Sequence, residues 1–260
     1  MQHISIPPSE RDPAVAREQT WAAFLLAWVA GFSDAIGFLV LQQLGASFMS
    51  GNSMATGVAL GQMNWASVLL HGVPIISFIV GIMLGTLVLA LVRHWGIRSS
   101  FAVVFSLEAL LILAFLVLGS HSLQGGVIRP LPAWIFYLCI VLLTLAMGLQ
   151  TATIQRVSGQ GVRTTFVTGV LNDLTYALMH YLLWSHRQIT EWPFRQAVRE
   201  SLQQAAFRHL LLLGGIWGSY VVGAICGSAV EVHVALTALA FPLCVLVVLI
   251  AIDVLRPFEG

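Results

Sequence analysis

The chain contains no lysine: all twelve of its positive residues are arginine. That absence removes phosphate-binding loops of the Walker type, Schiff-base enzymes and Ser-Lys catalysis, each of which needs an amine. Charge of either sign is scarce. Charged residues make up 9% of the 260 positions against 58% hydrophobic, where a soluble domain carries about 25% charged residues. A surface so poor in charge suits lipid rather than water. The net charge of +1 offers no basic patch, so nucleic acid is excluded as a partner. Cysteine is also rare. Cys139, Cys226 and Cys244 stand far apart in apolar runs and read as small packing residues rather than a disulfide or metal set.

What is present is a series of apolar runs. A spanning helix needs about 20 mostly apolar residues, and six runs qualify: Thr20 to Leu41, Ser67 to Leu91, Phe101 to Leu118, Ala133 to Thr153, Leu210 to Val230 and Val232 to Leu255. The last two are separated by a tight turn at Glu231 to His233. Two semi-apolar stretches, Ala46 to Gln62 and Thr164 to Trp184, each hold a glycine and a cluster of small polar residues near their start. Residues 1–18, with Pro7, Pro8 and Pro13, read as a disordered cytosolic tail rather than a cleaved signal.

The two halves share an ordered pattern. Gly31-Phe32-Ser33-Asp34-Ala35 matches Gly148-Leu149-Gln150-Thr151-Ala152; Phe48-Met49-Ser50-Gly51 matches Phe166-Val167-Thr168-Gly169. The helix bearing Gly81 and Gly85 matches the one bearing Gly223 and Gly227. The expected organisation is a single all-α membrane domain of two repeats, 19–118 and 132–256. The second carries a cytosolic interfacial helix as an insert over 185–208, where apolar residues recur at helical spacing beside Arg195 and Arg199.

Arginine placement chooses the topology. If the two semi-apolar stretches do not span, there are six crossings. Arg11, Arg17, Arg93, Arg98, Arg156, Arg163, Arg187, Arg195, Arg199, Arg208 and Arg256 then lie inside, and Arg129 alone lies outside. If both span, the split falls to eight against four, with Arg93, Arg98, Arg156 and Arg163 outside. The positive-inside rule favours six crossings, with both termini in the cytosol of a cell bounded by its cytoplasmic membrane. Three crossings per half is an odd number, so the halves are expected to be inverted, each with one short broken or re-entrant segment.

These motifs also carry a resemblance. Gly31-x-x-Asp34-Ala35, Phe48-Met49-Ser50-Gly51-Asn52, Gly148-Leu149-Gln150 and Arg163-Thr164-Thr165-Phe166-Val167-Thr168-Gly169 resemble the YoaK-type family, bacterial and fungal transmembrane proteins filed under a domain of unknown function. The resemblance covers nearly the whole chain and implies a multi-pass membrane fold, but no substrate. Many members of that family have Thr where Ser50 stands here and Asn where Thr151 stands, and both differences keep a hydrogen-bonding side chain.

Short, Gly-interrupted segments at matching positions of inverted halves point to a transport site. Non-helical backbone is tolerated at membrane depth only where it is buried in protein or lines a cavity. Ser50, Gly51, Asn52, Gln150, Thr151, Thr168, Gly169 and Asn172 are therefore candidates for lining a pathway. The plainer role is helix packing, with Ser or Thr bonding its own i−4 carbonyl. Asp34 lies about 21 Å along its helix from Thr20 at 1.5 Å per residue. An acid at that depth relays protons or binds a cation, or else makes a structural hydrogen bond. Asp173 follows Gly169 by one helical turn and serves either a site or the positive end of a helix. Glu108, Arg156 and Arg163 form a second tier: an isolated acid mid-helix, and two arginines that set topology or attract anions at a vestibule.

The eight histidines make no metal-binding pair with a carboxylate, and no nucleophile elbow or zinc-protease motif is present. No cofactor, metal or enzymatic activity is expected. The leading expectation is a secondary transporter or channel for a small polar solute or ion. The alternative is a membrane scaffold or sensor that binds a protein or lipid without transport. The glycine pairs suit packing within one chain or between copies, so a homo-oligomer stays open.

Overall fold

A computed structural model describes residues 13–120, 132–157, 167–191 and 205–258. Within them lie eight α-helices: α1 Pro13–Val40, α2 Met49–Gly61, α3 Trp65–His94, α4 Ser100–Ser120, α5 Ala133–Val157, α6 Val167–Glu191, α7 Ala205–Val234 and α8 Ala240–Leu255. A 3₁₀ turn, Ala235–Leu239, joins the last two. Helices satisfy all but their terminal backbone donors and acceptors within their own segment, which hydrocarbon demands.

Five runs are long and apolar enough to cross a membrane: Glu18–Val40, Trp65–His94, Ser100–Ser120, Ala133–Ile154 and Phe207–Leu255. The last, at 49 residues, is about twice what a bilayer needs. It folds back on itself. Ala235 takes a left-handed φ of 50°, the Phe241 ring lies 6.2 Å from Phe32 on α1, and Phe258 lies 6.2 Å from Phe101 at the start of α4. The fold-back falls at residues 235–239, not at Glu231 to His233 as the sequence suggested. The reason is local. Residues 231–233 contain no helix breaker, whereas Pro242 fits the first turn of a helix, where its missing N–H loses no backbone bond, and so suits a new start just before it.

The direction of each helix follows from who touches whom. At one end Gln19 Nε2 donates to the Phe258 carbonyl at 2.9 Å, and Arg256 stands 3.5 Å from Glu18. The Asp253 carboxylate accepts from Ala102 N at 2.7 Å and from Phe258 N at 3.0 Å. The start of α1, the start of α4 and the end of α8 therefore share one end of the bundle. Between α1 and α5 the contacts run oppositely: Leu26 meets Gln150, and Gly37 meets Leu143. Between α1 and α7 they run together, Phe24 to Gly215, Trp28 to Gly223 and Phe32 to Gly227. Between α3 and α5 they also run together, Gly81 to Leu145 and Gly85 to Leu149.

The two parallel pairs are built alike. A Cβ at Gly223 or Gly227 would meet the carbonyl of Trp28 or Phe32, and one at Gly81 or Gly85 would meet the carbonyl of Leu145 or Leu149. A Cβ at Gly31 would meet Tyr220 O, and one at Gly148 would meet Phe78 O. Each α5 position is its α1 counterpart plus 117 (28 to 145, 31 to 148, 32 to 149), and each α7 position its α3 counterpart plus 142 (78 to 220, 81 to 223, 85 to 227). Small residues let these backbones touch, which is how helices associate where lipid supplies no hydrophobic drive between them.

The short segments differ from expectation. The first is α2, thirteen residues and unbroken, about 20 Å long. Gly51 sits inside its first turn, and a Cβ added there would meet nothing within 4 Å, so it neither breaks the helix nor permits a close approach. The irregular backbone comes earlier, at Gln42 and Gln43, whose φ values are 54° and 64°. The second, α6, is a continuous helix that runs through the Gly169 region to Glu191, seven residues into the stretch assigned to the insert; residues 192–204 lie outside the described part. Leu174 faces Gly214 and the Tyr181 and Phe207 rings are 5.4 Å apart, so α6 runs antiparallel to α7. Its first turn, Val167 and Val170, packs in a cluster with Ala27, Ala30, Ile216 and Tyr220. Thus α6 begins partway along α7 and runs toward the end where α1 starts, while α2 begins near Ser47 and runs toward the opposite end.

Candidate functional site

Asp34 is the centre of the best-connected polar cluster. It lies on α1 and is 1% exposed. One carboxylate oxygen accepts the Ser47 backbone N–H at 2.9 Å. The other accepts the Ser47 hydroxyl and the Tyr220 hydroxyl from α7, the latter at 2.8 Å. Gln42 and Gln43, in left-handed conformations, reverse the chain after α1, and the Gly45 carbonyl accepts from buried Asn52 Nδ2 at 3.1 Å. The result is that Ser47, two residues ahead of α2, is pinned onto Asp34. The carboxyl therefore ties together α1, α7 and the entry to the short helix, at a depth where unsatisfied polar groups are expensive.

The cluster forms the floor of an open cleft between α1 and α7, about 420 Å³ in volume. Its walls are almost wholly apolar: Phe38, Leu39, Phe48, Val221 and Ile225. Among the described residues, no basic side chain lines it. Ligand sites commonly have this make-up, apolar walls with a few placed polar groups, and this volume lies in their usual range of about 300–1,000 Å³.

The other candidates disperse. Gln150 is fully buried and donates from Nε2 to the Leu26 carbonyl at 2.8 Å; its Oε1 has no partner among the described residues. Thr151 bonds back to Met147 O at 2.8 Å, the packing role. Ser50 and Gly51 are exposed on the bundle surface. So are Thr168, Asn172 and Asp173 on α6, with Gly169 half-buried; Asn172 and Asp173 stand at 3.5 Å from each other. Apart from Asn52, which is buried against the Gly45 carbonyl, the polar residues of the two glycine-centred stretches lie on the outer face of a helix whose opposite face packs on α3 or α7, so the stretches do not converge on one interior site within a single chain. Glu108 on α4 is 0% exposed, and neither of its oxygens has a partner among the described residues. The side chains of Arg156 and Arg163 lie outside the described residues.

Ser47 and Tyr220 are the two site residues that sequence reasoning passed over. A signal for Tyr220 exists: it stands one turn before Gly223 in the glycine helix, where its counterpart is Phe78, so a hydroxyl has been placed on one half only. The counterpart of Asp34 is Thr151, and the Asp–Tyr bond that joins α1 to α7 corresponds to a Thr and a Phe on the matching pair, α5 and α3. The paired helices are alike in packing and unlike in chemistry.

Five apolar spanning runs, buried polar groups that are mostly paired to backbone, and a broad apolar outer surface define a multi-pass α-helical membrane protein. A family model described as "Protein of unknown function (DUF1275)" matches residues 22–252, and the chain belongs to that family. It is similar to the UPF0700 transmembrane protein YoaK of Bacillus subtilis (strain 168), with 25% identity over 207 residues, which covers 80% of this chain and 81% of the relative. No solved structure matches it.

Proposed function

We propose that this chain crosses the cytoplasmic membrane six times, as two inverted three-helix halves with both termini in the cytosol, and works as a secondary transporter for a small polar solute or ion. The antiparallel course of α1 and α5 supports the inversion, as does the matched glycine packing of α1 on α7 and of α3 on α5. The start of α4 sits at the same end of the bundle as the start of α1. An even number of crossings lies between them, so α1 and α3 cross and α2 does not. At about 20 Å, α2 is in any case shorter than a hydrocarbon core of about 30 Å.

The observation that carries the functional reading is Asp34. It is buried and ionisable, sits at spanning depth, is joined to two helices and one half-length helix, and has no basic partner among the described residues. Such groups mark ion and substrate paths in membranes, and half-length helices that begin inside the bundle are the usual frame for them. The test is proton movement in proteoliposomes loaded with pyranine, screened against a panel of small solutes. The wild-type protein should show a solute-driven pH change, and Asp34→Asn should insert and fold but abolish it. Equal flux in the variant would refute the coupling role.

A further inference from the structure

The chemistry of the cleft is narrower than "small polar solute". Beyond the Asp34–Tyr220 floor its walls offer one hydroxyl, Ser228, which already donates to the Ile225 carbonyl at 3.1 Å. A fully hydrated sugar or amino acid would give up its water against Phe38, Leu39, Phe48 and Val221 and find too few replacement partners in Ser228 and the floor, a loss of about 1–3 kcal/mol for each polar group left unpaired. A wholly neutral apolar occupant would leave the acid with nothing to do. Charge decides between the remaining choices. Asp34 is an acid with three hydrogen-bond donors around it and no cation: Tyr220 is the titratable group bonded to it, and among the described residues no arginine or histidine lines the cleft. An unbalanced carboxylate is costly in so apolar a setting. The missing charge is positive.

Access is also specified. Phe38, Leu39, Phe48 and Ile225 are between 39% and 60% exposed on the outer surface of the bundle, and all but Phe48 lie within apolar spanning runs. Exposed apolar walls within spanning runs suit a sideways opening toward acyl chains better than one toward water.

We propose that this cleft binds an organic cation with an apolar body, entering from the membrane, and that the cation's charge seats against Asp34 in exchange for a proton. The balance is simple: the neutral Asp34 acid and the cation become a carboxylate–cation pair and one released proton. Tyr220 and Ser47 keep their bonds to the carboxyl in both states and hold it facing the cleft. This rests on the transport reading and deepens it by naming its substrate class, and it predicts that cation and proton cannot occupy Asp34 together.

The test needs no flux. Purified protein in detergent is titrated with tetraphenylphosphonium in weakly buffered solution, with binding followed by equilibrium dialysis and released protons by a pH dye. The expected result is saturable binding with close to one proton released per cation. Asp34→Asn should weaken binding at least tenfold and release no proton. Ile225→Trp changes a side chain that is 60% exposed and so leaves folding intact; it should block the cleft and weaken binding while preserving Asp34. Neutral triphenylphosphine oxide should bind at least tenfold more weakly than the cation. Equal affinity for the neutral analogue, or unchanged binding in Asp34→Asn without proton release, would mean that the cleft is merely a lipid-filled surface and would overturn the proposal. No binding at all by the wild type would overturn it as well. Binding with proton release but no movement across proteoliposomes would leave this inference standing and sink the transport reading instead.

Discussion

The glycine contacts make a sharp and symmetric prediction. Replacing Gly223 with alanine adds one methyl group where the Trp28 carbonyl already stands, and replacing Gly81 does the same against the Leu145 carbonyl. In both cases the obstacle is backbone, which cannot swing aside, so the two helices must separate. Alanine gains up to about 1 kcal/mol in intrinsic helix preference over glycine, while overpacking a close contact costs about 1–3 kcal/mol. Each variant should therefore lose up to about 2 kcal/mol net. Gly51 is the internal control. A Cβ added there would meet nothing within 4 Å, so Gly51→Ala should keep the propensity gain, about 0.4–1 kcal/mol. Equilibrium unfolding of the three variants in mixed micelles, followed by tryptophan fluorescence, measures the spread. If Gly81→Ala and Gly223→Ala prove as stable as Gly51→Ala, the close helix pairs are not what holds this bundle together. If Gly81→Ala and Gly223→Ala differ widely from each other, the two pairs are not equivalent.

Three further outcomes follow from single residues. Ala235 holds a φ of 50°, a conformation that costs a non-glycine residue about 1–2 kcal/mol, so Ala235→Gly should raise stability by about 1 kcal/mol in the same unfolding assay. Asp253 satisfies two buried backbone donors, Ala102 N and Phe258 N; Asp253→Ala leaves both unmet at about 1–3 kcal/mol each and should free the C-terminal residues to carboxypeptidase, whereas Asp253→Asn should be milder. Glu108 is buried with both oxygens unpartnered among the described residues, so Glu108→Leu should stabilise by about 1–3 kcal/mol; a destabilised Glu108→Leu would show that the acid has a partner worth keeping.

The helices were legible in the sequence because their apolar runs are long and their interruptions short. The matched glycine contacts were legible too, since Gly31, Gly81, Gly85 and their counterparts recur in order. Boundaries were less so. The apolar residues flanking Glu231 and His233 continue the helix, and only Pro242 marks where a new one can start. The site was half legible. Asp34 stands out as an acid in an apolar run, but Ser47 and Tyr220 belong to ordinary-looking segments, and their meeting depends on how α1 lies on α7. Glycine misled at Gly51. A glycine beside small polar residues suggests a break, yet the turn is made by Gln42 and Gln43, whose side chains give no warning of a left-handed backbone. Whether Ser50, Asn172 and Asp173 face inward could not be read from spacing, because α2 and α6 each pack on only one side.

The inverted arrangement underlies both functional proposals, and sidedness tests it most directly. In a background without Cys139, Cys226 and Cys244, single cysteines are placed at Ala133, at the start of α5, and at Arg98, between α3 and α4, both exposed, and are labelled with an impermeant maleimide from outside intact cells. Six crossings predict that Ala133→Cys is labelled and Arg98→Cys is not until the cells are permeabilised. The reverse pattern, with a cysteine at Glu18 still shielded in intact cells, would mean that α2 spans, that the halves are parallel, and that the site built around Asp34 must be reinterpreted.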